Sequence, residues 1–394
     1  MFGPLTGIKI LDFSQLVQGP FATQILGDMG AEIVKVEPLK GDWLRHFAID
    51  NYYVNGESIS FLGFNRNKRS IAIDLKSPDG VEVAKALVKQ ADIVIENFRP
   101  GVMDRLGLDY TTLAEINPRI VYCASSGFGQ TGPYVKRPGQ DVLIQAMTGI
   151  PWLTGKENED PVVPGVSLAD LAAGLHIVYG TLAALYHREQ TGKGQRVDVN
   201  LYSSLLTFIT QEMALYLNSG RMPERSASGI PNPYTGAPYG LYKTSNGYIA
   251  IGMNPLNKLA ALIGVDGYED TDSNNVMDNR DEIRREFAAA FLTLTTEQWL
   301  EQLLAEDIWC APVFTIADVE HDPQVAANEM IVSYEHPNAG SVRGLGMAVK
   351  FSATPSDVNY PAPLLGEHTG EILRQYGGFD DEYIEQLYKN NVIR

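Results

Sequence analysis

Residues 8–37 read IKILDFSQLVQGPFATQILGDMGAEIVKVE, and this stretch decides the fold class. A short apolar strand at 8–13 is followed by a loop, a helix that ends at Gly30, and a second apolar strand that ends at Glu37. A strand–helix–strand crossover of this kind joins two parallel strands. The opening of the chain therefore predicts an α/β fold.

The same alternation of strand and helix continues to about residue 130. Three more apolar strands are predicted at 70–75, 92–96 and 119–124. Repeated alternation predicts a doubly wound α/β sheet, in which ligands bind beside the carboxyl ends of the strands. The sequence therefore predicts one ligand crevice, formed by the segments that follow the strands: 15–18, 35–40, 76, 97–105 and 125–130.

A dinucleotide site is the first alternative for this crevice. Glu37 ends the second strand, where a ribose-binding acid would stand in a nicotinamide-dependent oxidoreductase. However, the turn at 14–20 reads SQLVQGP and lacks the glycine pattern that brings a backbone close to a pyrophosphate. The sequence therefore gives an NAD-dependent activity little support.

Charge narrows the class of ligand. The 394-residue chain has a formal net charge of −17 and a pI near 4.8, which argues against nucleic-acid and anionic-membrane partners. Cations nevertheless lie in or near the predicted crevice. Each alone is commonly an ordinary solvated residue, but together they favour a phosphate-bearing ligand: Arg66, Lys68, Arg69, Lys76, Arg99, Arg105, Lys136 and Arg137.

The two cysteines and the hydropathy of the chain indicate in which cellular compartment the protein is expected. Cys123 and Cys310 lie in apolar, strand-like surroundings and are expected to be reduced core residues, with no disulfide and no metal site. The first residues lack the pattern of a signal peptide, and no window has about 18 uninterrupted apolar residues. We expect a cytoplasmic protein with no membrane span.

A second informative stretch, residues 164–194, reads PGVSLADLAAGLHIVYGTLAALYHREQTGKG. It predicts a buried helix with Asp170 as its N-cap and Gly192 beyond its end. Two interpretations of Asp170 are open. It satisfies unpaired helix amides, or it is a reactive carboxylate beside a glycine, Gly174, that lets another group approach closely.

Residues 221–240 are rich in proline, glycine and serine and mark a change of domain. A hairpin pattern and several helix patterns follow to about residue 320. We therefore expect a large domain formed by 1–224 (with a linker from about 200) and 321–394, and a small α+β domain at 225–320.

At this point the chain resembles the class III CoA-transferases, also called the CaiB–BaiF family, which includes formyl-CoA transferase and α-methylacyl-CoA racemase. The resemblance covers nearly the whole chain. It rests on eight phrases in one order: LTGIKILDFSQLVQGPFATQILGDMGAEIVKVE, NRNKRSIAIDLKSPDG, DIVIENFRPGVMDRLGL, GQDVLIQAMTG, LADLAAG, TGKGQRVDVNL, PYGLYKTSNGYIAIG and LLGEHTGEIL.

The resemblance implies an interlocked homodimer with a large Rossmann-like domain and a small domain in each subunit. It also implies that Asp170 is the catalytic nucleophile. A carboxylate in this role attacks the donor thioester and divides the exchange into covalent steps, through mixed anhydrides and an aspartyl-CoA thioester. The implied substrates are an acyl-CoA and a small organic acid, with no permanently bound cofactor.

The resemblance also suggests contact residues for both substrates. For coenzyme A they are Leu16, Lys40, Ile73, Lys76, Asn97, Phe98, Arg105 and Arg137. Pro38 stands where formyl-CoA transferase has an arginine, and Lys40 is the proposed replacement. For the substrate acids the positions are Gln15, Gln18, Gln140, Tyr234 and Tyr239.

At two places this chain departs from the sequence pattern of family members, and these differences help to choose among the activities found in the family. Gln140 stands where the racemase has a histidine base, and glutamine cannot abstract an α-proton. The segment 229–239 lacks the run of glycines found in formyl-CoA transferase. The preferred function is therefore CoA transfer to a small carboxylic acid. An acyl-CoA racemase or isomerase and a non-catalytic CoA-binding protein remain the alternatives.

Overall fold

The computed structural model describes residues 3–394. Its strands are, in chain order, β1 (Lys9–Asp12), β2 (Glu32–Glu37), β3 (Tyr53–Val54), β4 (Glu57–Ser58), β5 (Lys68–Ala72), β6 (Ile93–Glu96), β7 (Val121–Ser126), β8 (Arg196–Asn200), β9 (Gly240–Lys243), β10 (Tyr248–Ile251), β11 (Cys310–Pro312), β12 (Ile331–His336) and β13 (Gly340–Leu345).

The helices are named in the same way. They are α1 (Gln18–Asp28), α2 (Ile59–Phe64), α3 (Pro78–Val88), α4 (Val102–Arg105), α5 (Tyr110–Ile116), α6 (Asp141–Met147), α7 (Ile150–Leu153), α8 (Leu168–Thr191), α9 (Leu201–Leu206), α10 (Thr210–Ser219), α11 (Leu256–Ile263), α12 (Arg280–Phe291), α13 (Thr296–Ala305), α14 (Ile316–His321), α15 (Pro323–Ala327), α16 (Thr369–Ile372) and α17 (Asp381–Lys389).

The chain forms two compact units. The large unit comprises the described residues up to Ile144 together with Ser167–Leu205 and Pro323–Arg394. The small unit comprises Gln145–Val166 and Leu206–Asp322. These boundaries differ from the expected division at 224 and 320, because residues 145–166 and 206–224 pack with the small unit.

The large unit is built on a six-stranded parallel sheet in the order β5-β2-β1-β6-β7-β8. The chain therefore starts in the middle of the sheet, adds strands to one side, and then crosses to the other. This is the strand order of a doubly wound Rossmann-like sheet, as the sequence predicts. The order reverses between β1 and β6, and ligands of doubly wound sheets bind beside the strand ends at such a point.

Apolar strands and helix faces form the core of the large unit. The central strands are almost entirely buried, which is expected when helices cover both faces of a parallel sheet. Val83, Leu87 and Val88 of α3 pack in the same cluster as Ile384 and Leu387 of α17. The carboxyl-terminal segment therefore completes one face of a sheet that begins at residue 9.

Helix α8 has the length and mean apolar composition of a membrane span, although it contains no run of 18 uninterrupted apolar residues. Half of its most apolar window is buried inside the structure, and the helix packs against α1, β7 and β8. It ends at Gly192, which has a left-handed conformation and donates its N–H to the Arg188 carbonyl. These contacts are those of a core helix.

The small unit contains a three-stranded antiparallel sheet in the order β11-β10-β9. Helices α11, α12 and α13 cover this sheet and bury Leu259, Phe287 and Trp299 in a separate apolar core. Thr295 and Gln298 form the capping box that the sequence predicts at the start of α13. The small unit thus has a hydrophobic core of its own.

Candidate active site

Two loops meet where the strand order reverses. The Asn97 side chain, just after β6, donates from Nδ2 to the Gln15 carbonyl oxygen at 2.7 Å. Its Oδ1 accepts the Gln15 backbone N–H at 2.8 Å. One amide side chain therefore satisfies both backbone groups of a residue in the loop after β1. This reciprocal pair joins two segments that the sequence predicts to lie at the ligand crevice.

Leu16, the next residue, is presented to solvent from an uncommon backbone conformation. Its φ is +66°, in the left-handed region, and its side chain is 42% exposed. A non-glycine residue in this region costs about 1–2 kcal/mol, so the surrounding contacts must hold it there. An exposed apolar side chain on a constrained loop fits a surface that contacts a ligand.

The loop after β6 has a second fixed point. Glu96, the last residue of β6, is buried, and its carboxylate accepts the Phe98 N–H at 2.8 Å. Burial raises the pKa of Glu96 to about 7. Glu96 was not among the predicted site residues, although an acid that ends an apolar strand at the crevice is a recognisable signal.

Glu37 is not available to bind a ribose. It is buried at the end of β2, where its carboxylate accepts both Arg45 Nε and Arg45 Nη2 at 2.7 Å. Ser70 Oγ donates to it at 2.6 Å and the Asp42 N–H at 2.9 Å. With its oxygens engaged inside the protein, Glu37 has a structural role, and the dinucleotide alternative loses its ribose-binding acid.

For three of the cations, the prediction that they bind a ligand is wrong. Arg66, Lys68 and Arg69 are buried and form ion pairs with acids of the large unit: Asp28 at 2.6 Å, Asp12 at 3.4 Å, and Glu32 at 2.6 Å together with Glu371 at 2.9 Å. Burial, with the nearby charge of Lys35, lowers the pKa of Lys68 to about 7. These residues are engaged in ion pairs inside the large unit and are not available to a ligand.

The other predicted cations are exposed. They follow β5, β6 and β7, and none forms an ion pair within residues 3–394: Lys76, Arg99, Arg105, Lys136 and Arg137. Arg137 lies over the Tyr134 ring, 3.9 Å from its centroid. Lys40 is also exposed, after β2, whereas Ile73 is buried and pairs with Ile393. The carboxyl edge of the sheet therefore has unneutralised positive charge in an otherwise acidic chain.

Asp170 is not the N-cap of α8, contrary to the prediction. The helix begins at Leu168 after Ser167, which places Asp170 in the first turn. The acceptor at this helix start comes from another segment, because Asp141 Oδ1 accepts the Ala169 N–H at 2.7 Å. No described residue donates a hydrogen bond to the Asp170 carboxylate, which is therefore free of the capping role.

The Asp170 carboxyl lies in a poorly solvated and acidic environment. It is half-buried, and burial, assisted by the negative charge of Asp141, raises its pKa to about 7. A carboxylate that is desolvated and without donors is more reactive toward an electrophile than a solvated one. Raised pKa values of this kind are concentrated at functional sites.

A close contact between two glycines positions the segment that contains Asp141. Gly127 follows β7 and Gly139 precedes Gln140. A Cβ on Gly127 would lie 2.5 Å from the Cα of Gly139, so neither position has room for a side chain. The contact brings Gln140 and Asp141 to the carboxyl end of β7. Gln140 is exposed, and its carbonyl oxygen accepts the Leu143 and Ile144 amides of α6.

Gly174 permits close packing of two helices, which is not the role that the sequence suggests. A Cβ at this position would lie 2.6 Å from Phe21 Cδ1 and 3.0 Å from the Gln18 carbonyl oxygen. Helix α1 therefore takes the space that we expected a ligand group to enter. Gln18 itself is buried, and its Oε1 accepts the Ser125 hydroxyl at 2.6 Å.

Two predicted substrate contacts lie in the small unit. Tyr234 donates its hydroxyl to the Arg221 carbonyl at 3.1 Å. Tyr239 lines an apolar depression of about 350 Å³ together with Leu241 and Trp309. The remaining candidates, Gln15, Gln18 and Gln140, belong to the large unit that contains Asp170.

Comparison with known proteins identifies the family. Residues 5–369 match CoA-transferase family III. This chain belongs to that family. It is 37% identical over 398 residues to the Mus musculus succinyl-CoA:glutarate CoA-transferase (99% of this chain and 90% of that protein) and 35% identical over 404 residues to the Chloroflexus aurantiacus succinyl-CoA–L-malate CoA-transferase beta subunit (99% and 98%).

The structural comparison agrees with the family assignment. The fold matches that of a CAIB/BAIF family protein from Brucella suis with a TM-score of 0.82 and 33% sequence identity. The match covers 95% of this chain and all of the other. The chain is therefore a class III CoA-transferase with the large parallel sheet of its family, and its chemistry concerns CoA thioesters and carboxylic acids.

Proposed function

We propose that this enzyme moves CoA from an acyl-CoA donor to a small carboxylic acid, with Asp170 as the covalent nucleophile. The observation that carries the proposal is the state of the Asp170 carboxyl. It is half-buried in the first turn of α8, beside Asp141, and no described group donates to it. The helix amino terminus provides a positive potential for the negative charge that develops on the attacked carbonyl.

The proposed reaction consists of four nucleophilic steps. Asp170 attacks the donor thioester carbonyl and releases CoA thiolate, leaving a mixed anhydride. The thiolate attacks the aspartyl carbonyl and expels the donor acid, which leaves an aspartyl-CoA thioester. The acceptor carboxylate attacks this thioester, forming a second anhydride and releasing the thiolate. The thiolate then attacks the acceptor acyl carbonyl, so that the new acyl-CoA forms and the Asp170 carboxylate is restored.

The CoA moiety is proposed to lie along the carboxyl edge of the sheet. Leu16, Asn97 and Phe98 belong to the two loops that meet at the point of strand reversal. The exposed cations Lys40, Lys76, Arg105 and Arg137 provide charge for the phosphates. Ile73 is buried, so its proposed contribution is to the shape of the strand end and not to direct phosphate binding.

Succinyl-CoA and a small dicarboxylic acid are the proposed first substrates. Two of the relatives described above have names that include succinyl-CoA and either glutarate or L-malate. Gln15, Gln18, Gln140, Tyr234 and Tyr239 stay the proposed contacts for the acids. Racemisation is disfavoured, because Gln140 replaces the histidine base of the racemase and has no proton-abstracting group.

A homodimer is the proposed assembly. Helix α8 exposes Leu175, Tyr179 and Tyr186, which are spaced at four and seven residues and therefore lie on one side of the helix. Contiguous exposed apolar side chains of this size favour burial against a partner. Sedimentation equilibrium tests the assembly, because a homodimer must have about twice the 43.3 kDa chain mass.

A cytoplasmic location is also proposed, because the free cysteines suit a reducing compartment.

A transfer assay tests the proposed function directly. Purified protein is incubated with succinyl-CoA and, separately, glutarate, malate or oxalate, and the acyl-CoA products are separated by liquid chromatography. The proposal predicts a new acyl-CoA that requires both the donor and an acceptor, and no product with Asp170→Asn. Loss of α-deuterium from labelled acyl-CoA without CoA exchange would instead establish the racemase alternative.

A further inference from the structure

Buried and partly buried side chains hold the backbone of three consecutive residues in the loop after β1, and three of these side chains come from other segments. The Ser14 N–H donates to Asp12 Oδ1 at 2.9 Å, and the Ser14 carbonyl accepts Lys35 Nζ at 3.0 Å. Asn97 satisfies both backbone groups of Gln15, and the Leu16 N–H donates to Asp42 Oδ1 at 3.3 Å. A loop bonded at consecutive groups has little freedom to move.

Lys35 and Asp42 connect these bonds. Lys35 Nζ lies 2.8 Å from Asp42 Oδ2, so one ion pair contacts the loop at the Ser14 carbonyl and again at the Leu16 amide. Both side chains are fully buried. Asp42 Oδ1 also accepts the Leu44 N–H at 2.9 Å, which orients the carboxylate toward the loop.

The ion pair belongs to a buried cluster of alternating charges. Three acids (Asp12, Glu37, Asp42) accompany three bases (Lys35, Arg45, Lys68), and each acid is within 3.4 Å of a base. Burial alone would lower the pKa of Lys35, but the carboxylates of Asp42, Asp12 and Glu37 outweigh it and raise that pKa. Lys35 is therefore a charged donor to the Ser14 carbonyl at neutral pH.

A buried ion pair of this kind does not need to contribute to stability, because desolvation of the two charges offsets their attraction. The clearer effect of the Lys35–Asp42 pair is on the conformation of the loop. It contacts both sides of Gln15 and supports Leu16 in a left-handed conformation that leucine rarely adopts.

We propose that Lys35 and Asp42 are positioning residues, which hold the Ser14–Leu16 backbone in the shape that binds the CoA moiety. This inference rests on the proposed function of the crevice. Both side chains are fully buried, so each acts through the loop backbone. The consequence is that loss of the pair weakens CoA binding while the covalent chemistry at Asp170 is retained.

Amide hydrogen exchange and CoA titration together test this proposal. The test variant is Lys35→Met/Asp42→Asn, which removes both charges and keeps an oxygen acceptor for Leu16. Asp42→Asn alone is the second variant, which leaves Lys35 in place beside the Ser14 carbonyl. The matched control is Arg66→Met/Asp28→Asn, because that buried pair makes no hydrogen bond to residues 14–16 in the described part of the chain.

We expect the Gln15 and Leu16 amides to exchange about 10-fold faster in the test variants than in the control, since local opening becomes easier. We expect the Kd for CoA to rise about 10-fold or more and the KM for acyl-CoA to rise with it, while kcat changes by less than about 3-fold. The control should change global stability without these local effects.

The two measurements separate the possible failures. Unchanged exchange at Gln15 and Leu16 in both test variants would overturn the proposal. Faster exchange with unchanged CoA affinity would also overturn it, because the loop shape would then be irrelevant to binding. A wild-type protein that binds no CoA would contradict the proposed function, and the exchange data would still decide whether the pair holds the loop.

Discussion

The carboxylate of Asp141 accepts the backbone N–H of Ala169 at 2.7 Å, at the amino terminus of the helix that contains Asp170. An acid from a separate helix thus performs the capping role that the sequence assigns to Asp170. Burial raises the pKa of the Asp170 carboxyl to about 7, and the negative charge of Asp141 contributes to this increase. Asp141 therefore affects both the orientation and the protonation of the proposed nucleophile.

The first prediction concerns the pH dependence of transfer. Asp170 must be ionised to attack a thioester, so kcat/KM should rise with pH through about 7, the pKa of this carboxyl. Asp141→Asn removes the nearby charge but keeps an oxygen for the Ala169 amide. In this variant the increase in kcat/KM should occur at lower pH. Initial rates between pH 5 and 9 measure the shift. The control is Asp79→Asn at an exposed position, which should not change the pH at which kcat/KM rises.

The second prediction concerns stability. Because the folded-state pKa of Asp170 is about 7 and the ordinary value of an aspartate side chain is 3.8, ionisation opposes folding as the pH rises between these values. Asp170→Asn should therefore increase Tm by about 2 °C or more at pH 8 and have little effect at pH 4. Thermal unfolding at the two pH values measures this difference. A larger gain at pH 4 would contradict the raised pKa.

The third prediction concerns the contact between Gly127 and Gly139. Gly127→Ala would put a Cβ 2.5 Å from the Gly139 Cα, so the segment leading to Gln140 and Asp141 must move. We expect a loss of about 1–3 kcal/mol in the free energy of unfolding and at least a 10-fold loss of kcat. Gly63→Ala is the control, because nothing lies within 4 Å of a Cβ there. Equal effects of the two substitutions would refute this role.

The fourth prediction concerns the exposed cations at the edge of the sheet. Lys76→Met and Arg105→Met should each raise the KM for acyl-CoA about 10-fold, since a charged hydrogen bond to phosphate contributes about 1.5–3 kcal/mol. Neither residue has an ion-pair partner in the part of the chain that the structure describes, so Tm should change little. Lys89→Met, an exposed cation at the end of α3, should leave KM unchanged. Steady-state kinetics at several salt concentrations provide the comparison.

Local sequence patterns predicted the framework of the large unit well. The strands at β1, β2, β6 and β7 are short, mainly apolar runs whose burial follows from the parallel sheet, and the stop at Gly192 follows from its left-handed conformation. The strand predicted at 70–75 instead lies at Lys68–Ala72 and begins with two charged residues. The loops that follow the strands could be placed at one edge of the sheet because parallel strands share a direction. These features depend on residues close together in the chain.

The errors arose where distant residues decide the outcome. Asp141 caps a helix whose first turn is 28 residues away, and Arg69 pairs with Glu371 from the far end of the chain. Neither partner can be identified from a local pattern, which is why the sequence predicts a helix cap at Asp170 and a ligand contact at Arg69. The unit boundaries were displaced for the same reason, because residues 145–166 pack with a later part of the chain.

Covalent trapping at Asp170 tests the central claim most directly. Wild-type protein, Asp170→Asn and Asp141→Asn are incubated with succinyl-CoA, treated with hydroxylamine, and digested for peptide mass spectrometry. The account predicts a CoA or hydroxamate mass on the peptide containing Asp170 in the wild type and in Asp141→Asn, and none in Asp170→Asn. Active transfer of CoA by a wild-type protein that never acquires this mass, or an undiminished adduct in Asp170→Asn, would contradict it.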